Sequence, residues 1–167
     1  MIEQSFLEEG GFVEDFELDN YSLRILRALQ TNGRRALQDI AADIGLSTTP
    51  CWRRLKALEE RGYIRRYTAL LDRERLGLKL CVFAHVTLQR ATRNAVKEFE
   101  AAMLACREVV ECYSATGDAD YVIKVLVRDT KRYDEFLKEH IFCLPAVAHI
   151  RSSITLHEVK NDSAVPV

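Results

Sequence analysis

The chain has no apolar run approaching the ~18 residues of a membrane span. Its first residues, MIEQSFLEEGGFVEDF, place no basic stretch ahead of an apolar one, so a secretory signal is not expected and the protein reads as cytoplasmic. The five cysteines (Cys51, Cys81, Cys106, Cys112, Cys143) include no CxxC and no Cys/His pair at ligand spacing, which argues against a disulfide framework and against a structural zinc site. Cys51, Cys81 and Cys112 fall inside apolar periodic segments and are expected to be small buried hydrophobes. No Ser/His/Asp constellation, phosphate-binding glycine loop or metal cluster is visible, so no catalytic residue, metal ligand or cofactor is expected. What is present is enough apolar residue, 48% of 167, for an ordinary packed core in one average domain or two small ones.

Basic residues are missing from one end and concentrated next to it. Residues 1–18 carry six acids (Glu3, Glu8, Glu9, Glu14, Asp15, Glu17) and no base; residues 19–75 carry a net charge of +5; residues 76–167 are neutral. A total of -1 therefore conceals one basic module, the distribution expected when one part of a chain meets a polyanion and the other does not. Residues 1–17, acidic and broken by Gly10-Gly11, are expected to be a flexible tail.

Between 18 and 72 the pattern is helical. LDNYSLRILRALQTNG sets Leu18, Leu23, Ile25, Leu26 and Leu29 at helical spacing behind Asp19, an N-cap, and stops at Asn32-Gly33. RALQDIAADIG makes a second stripe of Leu37, Ile40, Ala41 and Ile44, ended by Gly45. GLSTTPCWRRLKALEERG starts a third helix with Ser47 as cap and Pro50 in the first turn. At ~100° per residue, Cys51, Leu55 and Leu58 face one side and Thr49, Arg53, Lys56 and Ala57 the other, with Trp52 at the edge of the buried stripe. YIRRYTALLD then predicts a short strand or pair of strands, a wing carrying Arg65 and Arg66.

After a linker at 73–78 the period becomes strand-like. Strands are expected at LCVFAHVTL, 109–116, 121–128 and 147–158, and helices at 92–105 and 130–142. The order β-α-β-β-α-β over 79–160 is the ferredoxin-like arrangement, with 161–167 left as a tail. Helices would cover one sheet face, leaving the face of Phe83, His85 and Thr87 for a second copy of the chain. His85, His149 and His157 are read as structural histidines.

Three short helices, a close Ala41 and Gly45 pair, and a basic third helix fit a helix-turn-helix that meets double-stranded DNA. Arg53 and Thr49, with Thr48 beside them, would face base edges, because arginine forks onto guanine O6 and N7. Arg54, Lys56, Arg34, Arg35, Arg65 and Arg66 would contact phosphates. The fold class is thus α+β, a winged helix-turn-helix followed by a ferredoxin-like domain.

LDNYSLRILRALQTNGR, LSTTPCWRRLKALEERGYIRRYTALLD, SATGDADYVIKVLV and ITLHEVK resemble, in order and spacing, the Lrp/AsnC (leucine-responsive, feast-famine) transcription regulators, over about Leu18 to Lys160. The resemblance implies an N-terminal DNA-binding domain and a C-terminal domain that dimerises and assembles dimers into octamers or similar rings. It implies an amino-acid effector held between dimers at a Gly-x-x-Asp turn, here Gly117 and Asp120 with Asp118 and Tyr121, and names Ser152, Ser153 and Thr155 as secondary candidates. Many members carry a second acid three residues after the first-helix aspartate, where this chain has Ser22. A glycine turn can present N–H groups to a carboxylate and an aspartate can pair with an α-ammonium. The alternative is that the turn only joins two strands, with Asp120 satisfying backbone. Two other readings stay open at this point: a sirohaem-decarboxylase-like enzyme on the same architecture, and a nucleoid-structuring protein that binds DNA without an effector.

Overall fold

The computed structural model describes residues 18–89, 92–161 and 164–167; the acidic tail at 1–17 lies outside them. Contacts group the chain into two units, one ending at Ala69 and taking in the last residues, the other spanning Leu70–Asn161. Among the described residues no helix is long and apolar enough to cross a membrane.

The first unit is three helices, α1 (Asn20–Thr31), α2 (Leu37–Ile44) and α3 (Thr48–Glu60). Asp19 caps α1 as expected: its Oδ1 accepts the Ser22 N–H at 2.7 Å. Ile25, Ile40, Ala41, Ile44, Cys51 and Leu58 form the core, flanked by Leu26, Leu29 and Leu55. Each fully buried leucine or isoleucine there contributes about 1.5–3 kcal/mol. Residues at the end of the chain pack on α1, where the Val165 N–H donates to Gln30 Oε1 at 2.5 Å and Gln30 Nε2 donates to the Val165 carbonyl at 3.0 Å.

Helix α2 ends in a Schellman motif. The Leu46 N–H donates to Ala41 O at 2.9 Å and the Gly45 N–H to Ala42 O at 3.2 Å, with Gly45 at φ 76°. That left-handed conformation is open to glycine at little cost, and it aims the chain straight into α3. The end of α3 repeats the motif, with Tyr63 N–H on Leu58 O and Gly62 N–H on Glu59 O, both at 3.0 Å.

Two local expectations change. Ser47 is the N-cap residue of α3, but its side chain makes no capping hydrogen bond. A capping hydroxyl bonds the second or third helical N–H, and here the third residue is Pro50, which has none. The segment from Tyr63 to Asp72 forms no strand. A strand needs a neighbour for its N–H and C=O groups, and among the described residues none pairs with this segment; Tyr67 instead donates its hydroxyl to Glu59 Oε1 at 2.7 Å.

The second unit runs β1 (Leu80–Leu88), α4 (Arg93–Ala105), β2 (Val109–Ser114), β3 (Tyr121–Val127), α5 (Thr130–Phe136) and β4 (Val147–Ile154). The sheet order is β2-β3-β1-β4, with every pair antiparallel, the ferredoxin-like topology. Val82, Ala84 and Val86 of β1 and Ile123, Val125 and Val127 of β3 are buried with Phe99 and Met103 of α4 and Phe136 of α5. The alternate residues of β1 lie on the other sheet face, where Lys124 pairs with Glu111 at 3.0 Å and sits 5.9 Å over the Phe83 ring. β4 stops four residues short of expectation: its pairing with β1 ends at Val82 opposite Ile154, two residues inside the start of β1. Cys51 and Cys81 are buried as expected, whereas Cys112 is exposed, because β2 is an edge strand. The helix expected over 130–142 is α-helical only to Phe136. Leu137–Ile141 widens into a π-turn, closed by the Phe142 N–H on Leu137 O at 2.8 Å.

Candidate DNA-binding face and ligand turn

The outward face of α3 presents Thr48, Thr49, Arg53 and Lys56, all exposed. Burial of Cys51 and Leu58 on the inner face fixes the rotation of the helix and hence which side chains project. The cations of this unit then divide into two groups. Arg54 is half-buried; its guanidinium meets Asp19 Oδ2 through Nε and NH2, both at 3.1 Å, and stacks 5.4 Å from the Tyr21 ring centroid. Hydrogen bonding by Ser22 first, then the Arg54 guanidinium, holds the Asp19 carboxyl below its ordinary value. Arg35 is paired with Asp43. Arg24, which sequence reasoning passed over, caps the end of α2 by donating to Ile44 O at 3.1 Å and Asp43 O at 2.8 Å.

By contrast, the guanidinium groups of Arg34, Arg53, Arg65 and Arg66 make no hydrogen bond or ion pair among the described residues, and all four are exposed. Lys56 is intermediate: it pairs loosely with Glu60 at 3.5 Å and lies 5.3 Å over the Trp52 ring. Trp52 itself is 51% exposed, so it belongs to the outer surface and not to the packed stripe. Its position one residue after Cys51 turns it about 100° from the buried line, too far for the small helical core to cover.

In the second unit the β2–β3 connection is a tight turn with Gly117 at φ 112°. That backbone conformation strains any residue with a Cβ, and nothing lies within 4 Å of where one would project. The turn is held to β1 by backbone and by Asp120. The Asp120 N–H donates to Val86 O at 3.0 Å, and its Oδ2 accepts the Leu88 N–H at 2.7 Å. Thr87 adds a hydroxyl bond to Asp118 O at 3.3 Å. Asp120 thus has a structural task, whereas Asp118 is exposed at the tip. Tyr121 is buried and donates its hydroxyl to Glu100 Oε1 at 2.8 Å. Burial, then the Glu100 carboxylate, pushes its phenol up to about 12, so it stays a proton donor.

The secondary candidates lie elsewhere in the sheet. Ser152, opposite Ala84, shares a 2.6 Å hydrogen bond with the Tyr133 hydroxyl, and Ser153 lies opposite Phe83. Thr155 donates its hydroxyl to Cys81 O at 3.1 Å. Cys81 is five residues from Val86 along β1, or about 17 Å at ~3.4 Å per residue. One copy of the chain therefore does not bring Thr155 to the Gly117 turn.

These features have relatives. Residues 18–65 match the family model for a winged helix-turn-helix DNA-binding domain and residues 81–165 that for the Lrp/AsnC ligand binding domain. The chain is 42% identical over 151 residues to the Bkd operon transcriptional regulator of Pseudomonas aeruginosa, covering 90% of this chain and 99% of that one. It is 35% identical to the leucine-responsive regulatory protein of Escherichia coli, covering 90% and 92%. Among solved structures, a transcriptional regulator from Neisseria meningitidis in complex with L-Met superposes with a TM-score of 0.86 at 34% identity, covering 89% of this chain and 96% of that one. A basic helix-turn-helix joined in sequence to a matching ligand-binding sheet places this chain in the Lrp/AsnC family of transcriptional regulators.

Proposed function

We propose that the protein is a one-component regulator that binds operator DNA sequence-specifically through α3 and whose DNA binding or assembly answers to a small amino acid. The observation that carries the DNA half is the pairing of neighbours on α3: Arg54 is locked into the scaffold by Asp19, while Arg53, one residue away, is exposed with no partner among the described residues. Arg53, Thr48 and Thr49 then read base edges in the major groove. Arg34, Arg65, Arg66 and Lys56 neutralise phosphates, and Arg35 and Arg54 contribute chiefly by holding the helices.

The effector half rests on Gly117, Asp118 and Asp120 at the turn, with Tyr121 beneath it, and on the relative that carries L-Met. In this reading Asp118 pairs with the α-ammonium of the ligand, Asp120 holds the turn in place, and a second copy supplies what one sheet lacks. The face of Phe83 and Lys124 is the surface for a homodimer, and dimers assemble further, with an octamer as the expected product. Ser152, Ser153 and Thr155 enter the pocket only through such assembly. The protein acts in the cytoplasm, on double-stranded DNA.

The test is fluorescence anisotropy with the duplex upstream of the protein's own gene and a scrambled duplex, with and without a panel of amino acids. Preference for the native duplex, its loss in Arg53→Ala and a shift with one amino acid support the reading. Equal binding to both duplexes with no effect of any amino acid favours a nucleoid-structuring role; absence of DNA binding sinks the regulator reading.

A further inference from the structure

Away from the turn, Cys106, Glu108 and His140 offer one sulfur, one carboxylate oxygen and one imidazole nitrogen, all within 4.8 Å of one another. They come from three places in the fold. Cys106 is the C-cap residue of α4, Glu108 lies one residue before β2, and His140 belongs to the π-turn after α5. We propose that these three side chains form a zinc(II) site in the ligand-binding unit.

The donor set argues for this metal. Thiolate, imidazole and carboxylate together suit zinc and are poor ligands for magnesium or calcium, which take oxygen alone. Zinc bonds of about 2.0–2.3 Å in a tetrahedron put ligand atoms about 3.3–3.8 Å apart. The Cys106 sulfur and Glu108 Oε2 already stand 3.3 Å apart. The third donor closes the triangle with a shift on the order of 1 Å, within the reach of a side-chain rotation. Three protein ligands leave a fourth position for water or a small anion.

The surroundings supply the outer layer that metal sites need. Arg132 NH2 donates to Glu108 Oε1 at 2.6 Å, which fixes the carboxylate and turns Oε2 toward the thiol. The Arg132 charge is itself met by Glu135 at 3.3 Å and Glu139 at 3.1 Å, which offsets it beside the cluster. His140 reaches the cluster from a π-turn, and π-turns inside helices frequently mark functional sites. Cys106 is 7% exposed and His140 37%, so the sulfur is shielded while the metal can enter from the imidazole side. The thiol proton now lies on the hydrogen bond to Glu108; metal binding expels it, so one proton leaves as the zinc–sulfur bond forms. Bound zinc would tie the end of α4, the start of β2 and the π-turn together.

Cobalt(II) titration of the full-length, chelator-treated, reduced protein tests this by absorbance. The expected result is a thiolate-to-cobalt charge-transfer band saturating at one equivalent per chain, bleached by zinc. It is abolished by Cys106→Ser and retained in Cys112→Ser and Cys143→Ser. His140→Gln, at a more exposed position, keeps the native circular dichroism and weakens the metal on the order of tenfold or more, which decides the matter should Cys106→Ser fail to fold. No band, a band that survives Cys106→Ser, or an unchanged affinity in His140→Gln overturns the site.

Discussion

The helical unit and the sheet unit spend their polar side chains differently. In the helical unit the residues that read bases in our reading, Thr48, Thr49 and Arg53, lie on one helix, and a single copy of the chain presents them together. In the sheet unit the candidate ligand residues are spread along β1, from the turn held at Val86 and Leu88, past Ser152 and Ser153 opposite its middle, to Thr155 at Cys81, and a single copy does not gather them. In both units one charged residue of a neighbouring pair is consumed by the scaffold, Arg54 by Asp19 and Asp120 by the Leu88 N–H, while Arg53 and Asp118 face outward. The lesson is that adjacency in sequence does not imply a shared role: burial and hydrogen bonding sort structural charges from those free to recognise a partner.

The largest effect should come from breaking the independence of the two units. Leu58 is fully buried in the helical core. Leu58→Ala should cost that unit about 2–5 kcal/mol and abolish DNA binding. Two-transition calorimetry should show the sheet unit melting as before; a common drop in both transitions would mean that the units fold as one.

A sharper cut separates Asp120 from Asp118. Asp120→Ala leaves the Leu88 N–H without its acceptor, for a loss of about 1–3 kcal/mol in the sheet unit, together with loss of amino-acid response. Asp118→Ala should change stability by less than about 0.5 kcal/mol and still lose the response. If urea unfolding finds the two variants equally stable, the division of labour at the turn is wrong. An unchanged amino-acid response in both variants removes the turn from the effector site.

How far the sequence reveals all this depends on the range of the interactions. The Asp19 cap, the Gly45 corner and the inward stripe of Cys51 and Leu58 are written within a few residues, and they are where the sequence places them. The order of strands was legible from the change of period, because alternation over β1 and β3 is a local signal. Expectations failed where a distant neighbour decides. The Tyr63–Asp72 segment has strand-like residues but no partner strand among the described residues, and Cys112 has an apolar setting in sequence but lies on an edge. The Ser47 side chain does not cap, and Pro50 three positions on removes one of the two N–H groups it could have bonded. Cys106, Glu108 and His140 are invisible as a cluster because no ligand spacing links them; only the π-turn and the packing of α5 bring the imidazole near the sulfur.

The adjacent arginines of α3 offer a smaller and more selective test. Arg53→Ala should leave stability unchanged and lose about 1–3 kcal/mol of discrimination between native and scrambled duplex. Arg54→Ala should do the reverse, lowering stability by about 1 kcal/mol or less, since its ion pair is partly exposed to solvent, and weakening both duplexes alike. Arg65→Ala, as a phosphate contact, should reduce the salt slope of binding by about 0.9. Equal loss of sequence preference in Arg53→Ala and Arg54→Ala would break the distinction between reader and scaffold.

The smallest effect concerns pH and bears on the same ion pair. The folded Asp19 carboxyl titrates below its ordinary 3.8, because Ser22 and Arg54 favour its charged form. The unfolded chain therefore binds the proton more readily, and the stabilisation is fully present above pH 3.8 and lost as pH falls through the lower folded value. Asp19→Asn keeps a capping side chain but cannot ionise, so its helical transition should respond less steeply to acid than that of the unsubstituted protein. Salt should narrow the gap between the two, because the Asp19 and Arg54 side chains remain 43% and 33% exposed and their attraction is screened. If acid melts of the two proteins run parallel at low salt, the pair contributes nothing to stability. Arg54 would then be as free as Arg53 to turn toward DNA.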